Sequence, residues 1–180
     1  MEVITTKIKD LLIIKPRVFE DARGYFFESY NEAAFKTNGI DVSFLQDNQS
    51  LSNTGVLRGL HFQSPPFDQG KLVRVINGAV LDIAVDIRKN SPTYGEYVSI
   101  ELTEENKTMF YIPSGFAHGF VTLKDNTIFS YKCTQLYNKA SEGTILWNDT
   151  DLNINWNISN PILSDKDLLG TLFKEFVSPF

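Results

Sequence analysis

The stretch Val80-Leu81-Asp82-Ile83-Ala84-Val85-Asp86-Ile87 decides the fold class of this 180-residue chain. In an extended strand Leu81, Ile83, Val85 and Ile87 fall on one face, and Val80, Asp82, Ala84 and Asp86 on the other. Asn77-Gly78 separates this run from Leu72-Val73-Arg74-Val75-Ile76, and Asn-Gly between two strand-like runs predicts a hairpin. The same alternation recurs in short runs broken by turn residues, which predicts strands at Leu11–Ile14, Gly24–Ser29, Val42–Gln46, Val56–Gln63, Val98–Leu102, Met109–Ile112, Phe120–Leu123 and Ile128–Leu136. Helical signal is sparse. Asn31 is placed to cap a short helix through Phe35 that Gly39 ends, and a second short helix is expected over Lys166–Glu175, weakened by Gly170. Many short antiparallel strands with little helix imply a sandwich or barrel of the jelly-roll kind, whose interior commonly holds a ligand.

Composition narrows the function. The net charge is −5 and no basic tract exists, so neither nucleic acid nor an acidic membrane is an expected partner. Cys133 is the only cysteine, which excludes an intrachain disulfide and fits a reducing compartment. With no secretory apolar region and no long apolar run, the chain is expected to be soluble and cytoplasmic. No repeat, linker or low-complexity segment divides it, so residues 1–180 are expected to form one domain.

Only two histidines are present, both in glycine-flanked motifs: Arg58-Gly59-Leu60-His61-Phe62-Gln63 and Gly115-Phe116-Ala117-His118-Gly119-Phe120. Histidine is the usual mover of protons near neutral pH. Strict alternation puts His61 and Arg58 on opposite faces of their strand; a bulge at Gly59 would re-aim one of them. Lys71 shares a face with Val73 and Val75, and an inward lysine is costly unless it meets negative charge, such as an enolate oxygen. Tyr131 shares a face with Phe129 and Cys133, where a phenol either packs or donates a proton across a cavity. Asp167 matters only if the fold returns it to His61, where it would fix the imidazole tautomer. Gln63 stands two after His61, where metal-binding barrels carry the second histidine of a His-x-His pair, so no catalytic metal is expected.

These motifs, with Phe19–Glu28 (FEDARGYFFE), Phe44–Ser50 (FLQDNQS), Gln69–Val73 (QGKLV), Asp82–Pro92, Glu142–Asp149 (EGTILWND) and Leu163–Asp167 (LSDKD), resemble those of the dTDP-4-dehydrorhamnose 3,5-epimerase family over roughly Lys9–Leu169. The resemblance implies a mainly β, cupin-type jelly roll with a few short helices. It also implies a homodimer with exchanged N-terminal strands, and a cofactor-free isomerase acting on a dTDP-4-keto-6-deoxyhexose in dTDP-L-rhamnose biosynthesis, a precursor route for polysaccharides. It assigns the base to His61, its carboxylate partner to Asp167, the acid to Tyr131 and the contact to the sugar oxygen to Lys71. Substrate contacts carry over to Arg23, Glu28, Gln46, Asp47, Asn48, Arg58, His118, Glu142 and Lys166. Phe26 or Trp147 are candidates to stack on the thymine, with core packing the alternative for each. An enzyme of this type that inverts only one carbon would carry the same motifs. A metal-dependent barrel enzyme is argued against by the missing ligands, and a non-catalytic sugar-binding barrel by the retention of His61, Lys71 and Tyr131.

Overall fold

Alternation in short runs yields strands along most of the chain, described for residues 1–180 by a computed structural model. In chain order they are β1 (Glu2–Thr5), β2 (Leu12–Lys15), β3 (Phe19–Asp21), β4 (Gly24–Phe26), β5 (Gln46–Ser52), β6 (Leu57–Gln63) and β7 (Lys71–Asn77). There follow β8 (Ala79–Asp86), β9 (Tyr97–Thr103), β10 (Met109–Ile112), β11 (Phe116–Thr122), β12 (Thr127–Cys133) and β13 (Glu142–Thr144). Two short helices, α1 (Glu32–Thr37) and α2 (Asp165–Leu168), complete the set. The strands form two antiparallel sheets, ordered β1-β2-β10-β7-β12-β5 and β13-β6-β11-β8-β9, with β3 and β4 as a separate hairpin. This is the expected mainly β jelly-roll class.

The decisive run, β8, lies between β11 and β9 in its sheet and is buried on both faces. Val80 and Ala84 face the interior between the sheets, where they meet Val73, Val75, Phe110, Phe120 and Phe129. Ile83, Val85 and Ile87 face outward into a second cluster with Leu57, Leu60, Trp156 and, from the C-terminal segment, Phe173, Phe176 and Phe180. Its two aspartates are both partnered: Asp82 holds His118, while Asp86 accepts from Arg88, Ser91 and Thr93. The outer face of the other sheet is covered by α1, through Phe35 packed on Leu72, Met109 and Tyr111. Each fully buried aromatic or branched side chain contributes about 1.5–3 kcal/mol. Both sheets are therefore covered on both faces, and the free space lies between them.

Several expectations require correction. Asn77-Gly78 is not a hairpin turn: β7 and β8 lie in different sheets, and the dipeptide carries the chain across the corner between them. Gly78 has φ +86°, and a Cβ there would meet Thr127 Oγ1 at 2.2 Å, so the glycine serves a close crossing of chain segments. The strand expected over Val42–Gln46 instead begins at Gln46, because its partner β12 ends at Cys133; Val42 and Phe44 pack under α1 without a ladder. β12 stops short of Leu136 as Thr134 turns its hydroxyl and backbone to Gly70. β11 starts at Phe116, earlier than expected, with Gly119 inside it. The strand expected over Gly24–Ser29 is only Gly24–Phe26, paired with Phe19–Asp21. The second helix breaks after Leu168, where Gly170 passes against the backbone of Leu146, leaving a single turn at Phe173–Glu175. The Asn31 cap and the left-handed Gly39 of α1 are as read from the sequence.

Candidate active site

The conflict between Arg58 and His61 is resolved by a bulge. His118 pairs with His61 and Phe120 with Arg58, so three residues of β11 span four of β6. Gly59 takes φ +145°, and a Cβ on it would lie 2.5 Å from Gly119 Cα. Only paired glycines let the two backbones approach this closely. The extra residue turns Arg58 and His61 into the same cavity, of about 320 Å³.

That cavity gathers His61, Lys71, Tyr131, Asp167, Arg58, His118, Glu142 and Lys166. The two sheets supply opposite walls. His61, Arg58, His118 and Glu142 come from the β13-β6-β11-β8-β9 sheet, and Tyr131 and Lys71 from β12 and β7 of the other. Asp167 arrives on α2, whose Ser164 cap is reciprocal: Ser164 Oγ accepts from the Asp167 N–H at 3.4 Å while Asp167 Oδ2 accepts from the Ser164 N–H at 3.3 Å, and the Ser164 hydroxyl also donates to Oδ2 at 2.6 Å. The other carboxylate oxygen accepts from His61 Nε2 at 2.7 Å and the Gly59 N–H at 3.2 Å.

These contacts set the protonation states. Burial raises the Asp167 carboxyl, but the donors from His61, Ser164 and Gly59 prevail and hold it at about 2. Asp167 is thus an acceptor only, so Nε2 of His61 carries a proton and Nδ1 is left with its lone pair. Burial pushes His61 below its ordinary 6.5; the bond to Asp167 opposes this, and the cations Lys166 and Lys71 reinforce it. The imidazole is therefore neutral near pH 7. Burial raises the Tyr131 phenol above 10, keeping its proton in place, and lowers the Lys71 ammonium, with Cys133 and Asp82 pulling it back. His118 is buried, with Nε2 bonded to both oxygens of Asp82 at 2.9 and 3.0 Å. Lys166 and Glu142 are ion-paired at the cavity rim. A neutral base, a protonated phenol on the facing sheet and a half-buried cation are the parts needed to move a proton off a carbon beside a carbonyl.

Other sequence candidates lie outside this cavity. Gln46 and Asn48 sit on the inward face of β5 and bond each other at 3.0 Å, while Asp47 points the other way and pairs with Lys132 at 2.9 Å. Arg23 is exposed on the β3-β4 hairpin, paired with Asp21 at 2.6 Å, and Glu28 is exposed, accepting from Asn31. Phe26 is exposed on the same hairpin; Trp147 packs on the outer core cluster, its carbonyl accepting from Trp156 Nε1. Gln63 is committed elsewhere, donating to the carbonyls of Phe67 and Leu136 and accepting from the Asn138 N–H. Sequence reading missed Ser50, Phe120 and Ser164 in the cavity wall, and Asp82 behind His118. Of these, Ser164 was findable, since Ser-x-x-Asp is a capping-box pattern.

Residues 5–175 match the family model described as dTDP-4-dehydrorhamnose 3,5-epimerase. The dTDP-4-dehydrorhamnose 3,5-epimerase of Shigella flexneri is 53% identical over 174 residues, 96% of each chain. The crystal structure of dTDP-6-deoxy-D-glucose-3,5-epimerase from Legionella pneumophila in complex with dTDP-4-keto-L-rhamnose superposes with a TM-score of 0.94 at 46% identity, covering 98% of this chain and 94% of that one. A 3′-monoepimerase from Streptomyces bikiniensis in complex with dTDP-quinovose has a TM-score of 0.89 at 31% identity, covering 94% of this chain and 86% of that one. The chain belongs to the dTDP-4-dehydrorhamnose 3,5-epimerase family.

Proposed function

We propose that the protein inverts C3 and C5 of dTDP-4-dehydro-6-deoxy-D-glucose to give dTDP-4-dehydro-L-rhamnose. The observation that carries the reading is the single cavity in which His61 of one sheet, backed by Asp167 of α2, faces Tyr131 and Lys71 of the other. Hydrogens flanking the C4 ketone are acidic because the carbanion delocalises onto oxygen. Nδ1 of His61 removes such a hydrogen, and Asp167 stabilises the imidazolium that forms. The Lys71 ammonium meets the charge developing on the ketone oxygen. Tyr131 returns a proton from the opposite wall, which inverts the carbon; the imidazolium then gives its proton to water and the tyrosinate regains one, and the reset pair repeats the step at the second flanking carbon. No redox or Lewis-acid group is needed by this scheme, since every step is a proton transfer between named side chains. Proton NMR of the substrate incubated with the protein in heavy water tests it: deuterium at both C3 and C5 with formation of the L-rhamnose configuration is expected. Deuterium at one carbon only identifies a monoepimerase, a reading favoured by nothing beyond the more distant likeness at 31% identity.

The working form is a homodimer in the cytoplasm, free of nucleic acid and membrane. The β3-β4 hairpin exposes Phe19, Tyr25 and Phe26 by half or more, an apolar surface unusual for an isolated hairpin. Laid on a second copy, that hairpin would cover these rings and carry Arg23 and Glu28 toward the neighbour's nucleotide end, where the guanidinium meets a diphosphate. Gln46 and Asn48 serve the same end of the site from the inward face of β5, while Asp47 is turned to the opposite face, paired with Lys132. A fully active monomer in light scattering at micromolar concentration would sink the dimer.

A further inference from the structure

The inward face of β5 presents Gln46, Asn48, Ser50 and Ser52 in a row. Three of the four are committed to protein partners. Gln46 donates to Asn48 and accepts from the Tyr137 N–H, Asn48 reaches the sulfur of Cys133, and Ser52 accepts from the Arg58 guanidinium. Ser50 is the exception: its Oγ is buried and has no hydrogen-bond partner, and the residue lines the cavity. A buried hydroxyl without a partner is disfavoured in folded proteins, and its retention calls for a specific explanation. Register fixes its neighbours. Ser50 stands opposite Phe129, one side-chain step from Asn48, which faces Tyr131, and one step from Ser52, which holds Arg58. Any group reaching Ser50 is therefore beside the acid and the arginine together.

We propose that Ser50 is a specificity-determining residue whose hydroxyl holds the C2 hydroxyl of the sugar ring. The proposal rests on the epimerase reading above. A serine hydroxyl both donates and accepts, as a sugar hydroxyl does, whereas the diphosphate calls for the cations Arg58 and Lys166. Among the ring positions, C2 alone suits a fixed wall contact near the reaction. The hydroxyl on C3 swings as that carbon inverts, C4 carries the ketone, and C5 carries the methyl group. C2 is adjacent to the reacting carbon and keeps its configuration throughout, so one contact persists through both inversions.

The test compares wild type and Ser50→Ala on dTDP-4-keto-6-deoxyglucose and on its 2-deoxy analogue, with dTDP binding measured by calorimetry. Wild type is expected to process the 2-deoxy sugar with kcat/KM about tenfold lower, the usual effect of losing one neutral hydrogen bond. Ser50→Ala is expected to show that same loss on the natural sugar, no further loss on the analogue, and unchanged affinity for dTDP. Equal loss on both sugars, no loss on either, or weakened dTDP binding overturns the assignment, the last outcome placing the hydroxyl at the diphosphate. The wild-type comparison needs no variant, so indifference of wild type to the 2-hydroxyl overturns it even if the alanine protein folds poorly. A wild type that exchanges no hydrogen of either sugar refutes the epimerase reading itself, and this proposal with it.

Discussion

Replacing Asp167 by Asn changes one atom and removes one charge, yet the geometry gives the amide no comfortable orientation. Both oxygens of the native carboxylate accept two hydrogen bonds, from Ser164 on one side and from His61 and Gly59 on the other. If the Asn oxygen faces Ser164, the NH2 group confronts the Gly59 N–H and forces Nε2 of His61 to accept. That moves the imidazole proton to Nδ1, the atom proposed as the base. If the amide is reversed, the NH2 group meets the Ser164 N–H, and the neutral oxygen stabilises the imidazolium poorly. The carboxyl is held at about 2 against an ordinary 3.8, which at 1.36 kcal/mol per pH unit is about 2 kcal/mol of preference for the charged form. The Asp167 side chain is almost wholly buried, so little of this is screened by solvent. Loss of that preference plus the wrong tautomer predicts a fall in kcat of about 10³- to 10⁴-fold, the scale seen when Ser-His-Asp triads lose their carboxylate charge. KM and dTDP affinity are expected to change little. The depressed carboxyl also contributes stability that is complete above 3.8 and is lost as pH falls through about 2. At neutral pH the variant should therefore melt about 4–8 °C lower, a gap that closes as pH falls from 4 to 2. A variant turning over within threefold of wild type would refute the reasoning.

The pH profile of kcat/KM is expected to fall on the acid side through a value below 6.5, as His61 gains a proton, and on the alkaline side as Lys71 loses its charge below 10.5. Lys71→Met should cost about 10²- to 10³-fold in kcat at any pH, and a variant at wild-type rate would remove Lys71 from the mechanism. Gly59→Ala places a methyl 2.5 Å from Gly119 Cα at φ +145°, so it should destabilise the protein by about 2–4 kcal/mol in denaturant titration and uncouple Arg58 from His61. Turnover should survive exhaustive chelation, because Gln63 occupies the second position of the expected ligand pair and its amide is spent on loop carbonyls; activity restored only by an added divalent metal would contradict this.

The strand content was legible because alternation is a local property: Met109–Ile112 and the run at Leu81 were readable from side-chain periodicity alone. Which strands pair is not local. Asn77-Gly78 has the composition of a hairpin turn, and only the packing of Thr127 against Gly78 makes it a crossing between sheets. The candidate site shows the same division. Lys71 and Tyr131 were placed inward by their apolar neighbours on the strand, and they do face the cavity. His61 and Arg58 could not be reconciled without the Gly59 bulge, whose existence depends on Gly119 in the adjacent strand. Asp167 lies 106 positions from His61, and its relevance appears only when α2 is folded back over β6. Ser50 closes the Phe44–Ser50 motif yet was given no role there, because a serine becomes notable only once its partners can be counted.

The central claim is a division of labour between two walls of one cavity, and deuterium exchange followed by proton NMR in heavy water separates the two roles. His61→Asn should abolish exchange at both C3 and C5, because no carbanion forms. Tyr131→Phe keeps the packing of the ring on Phe129 and should still incorporate deuterium, but with little or no inversion, since the enolate is reprotonated only from the His61 side. Tyr131→Phe epimerising at the wild-type rate, or His61→Asn exchanging hydrogen at either carbon, would contradict the account.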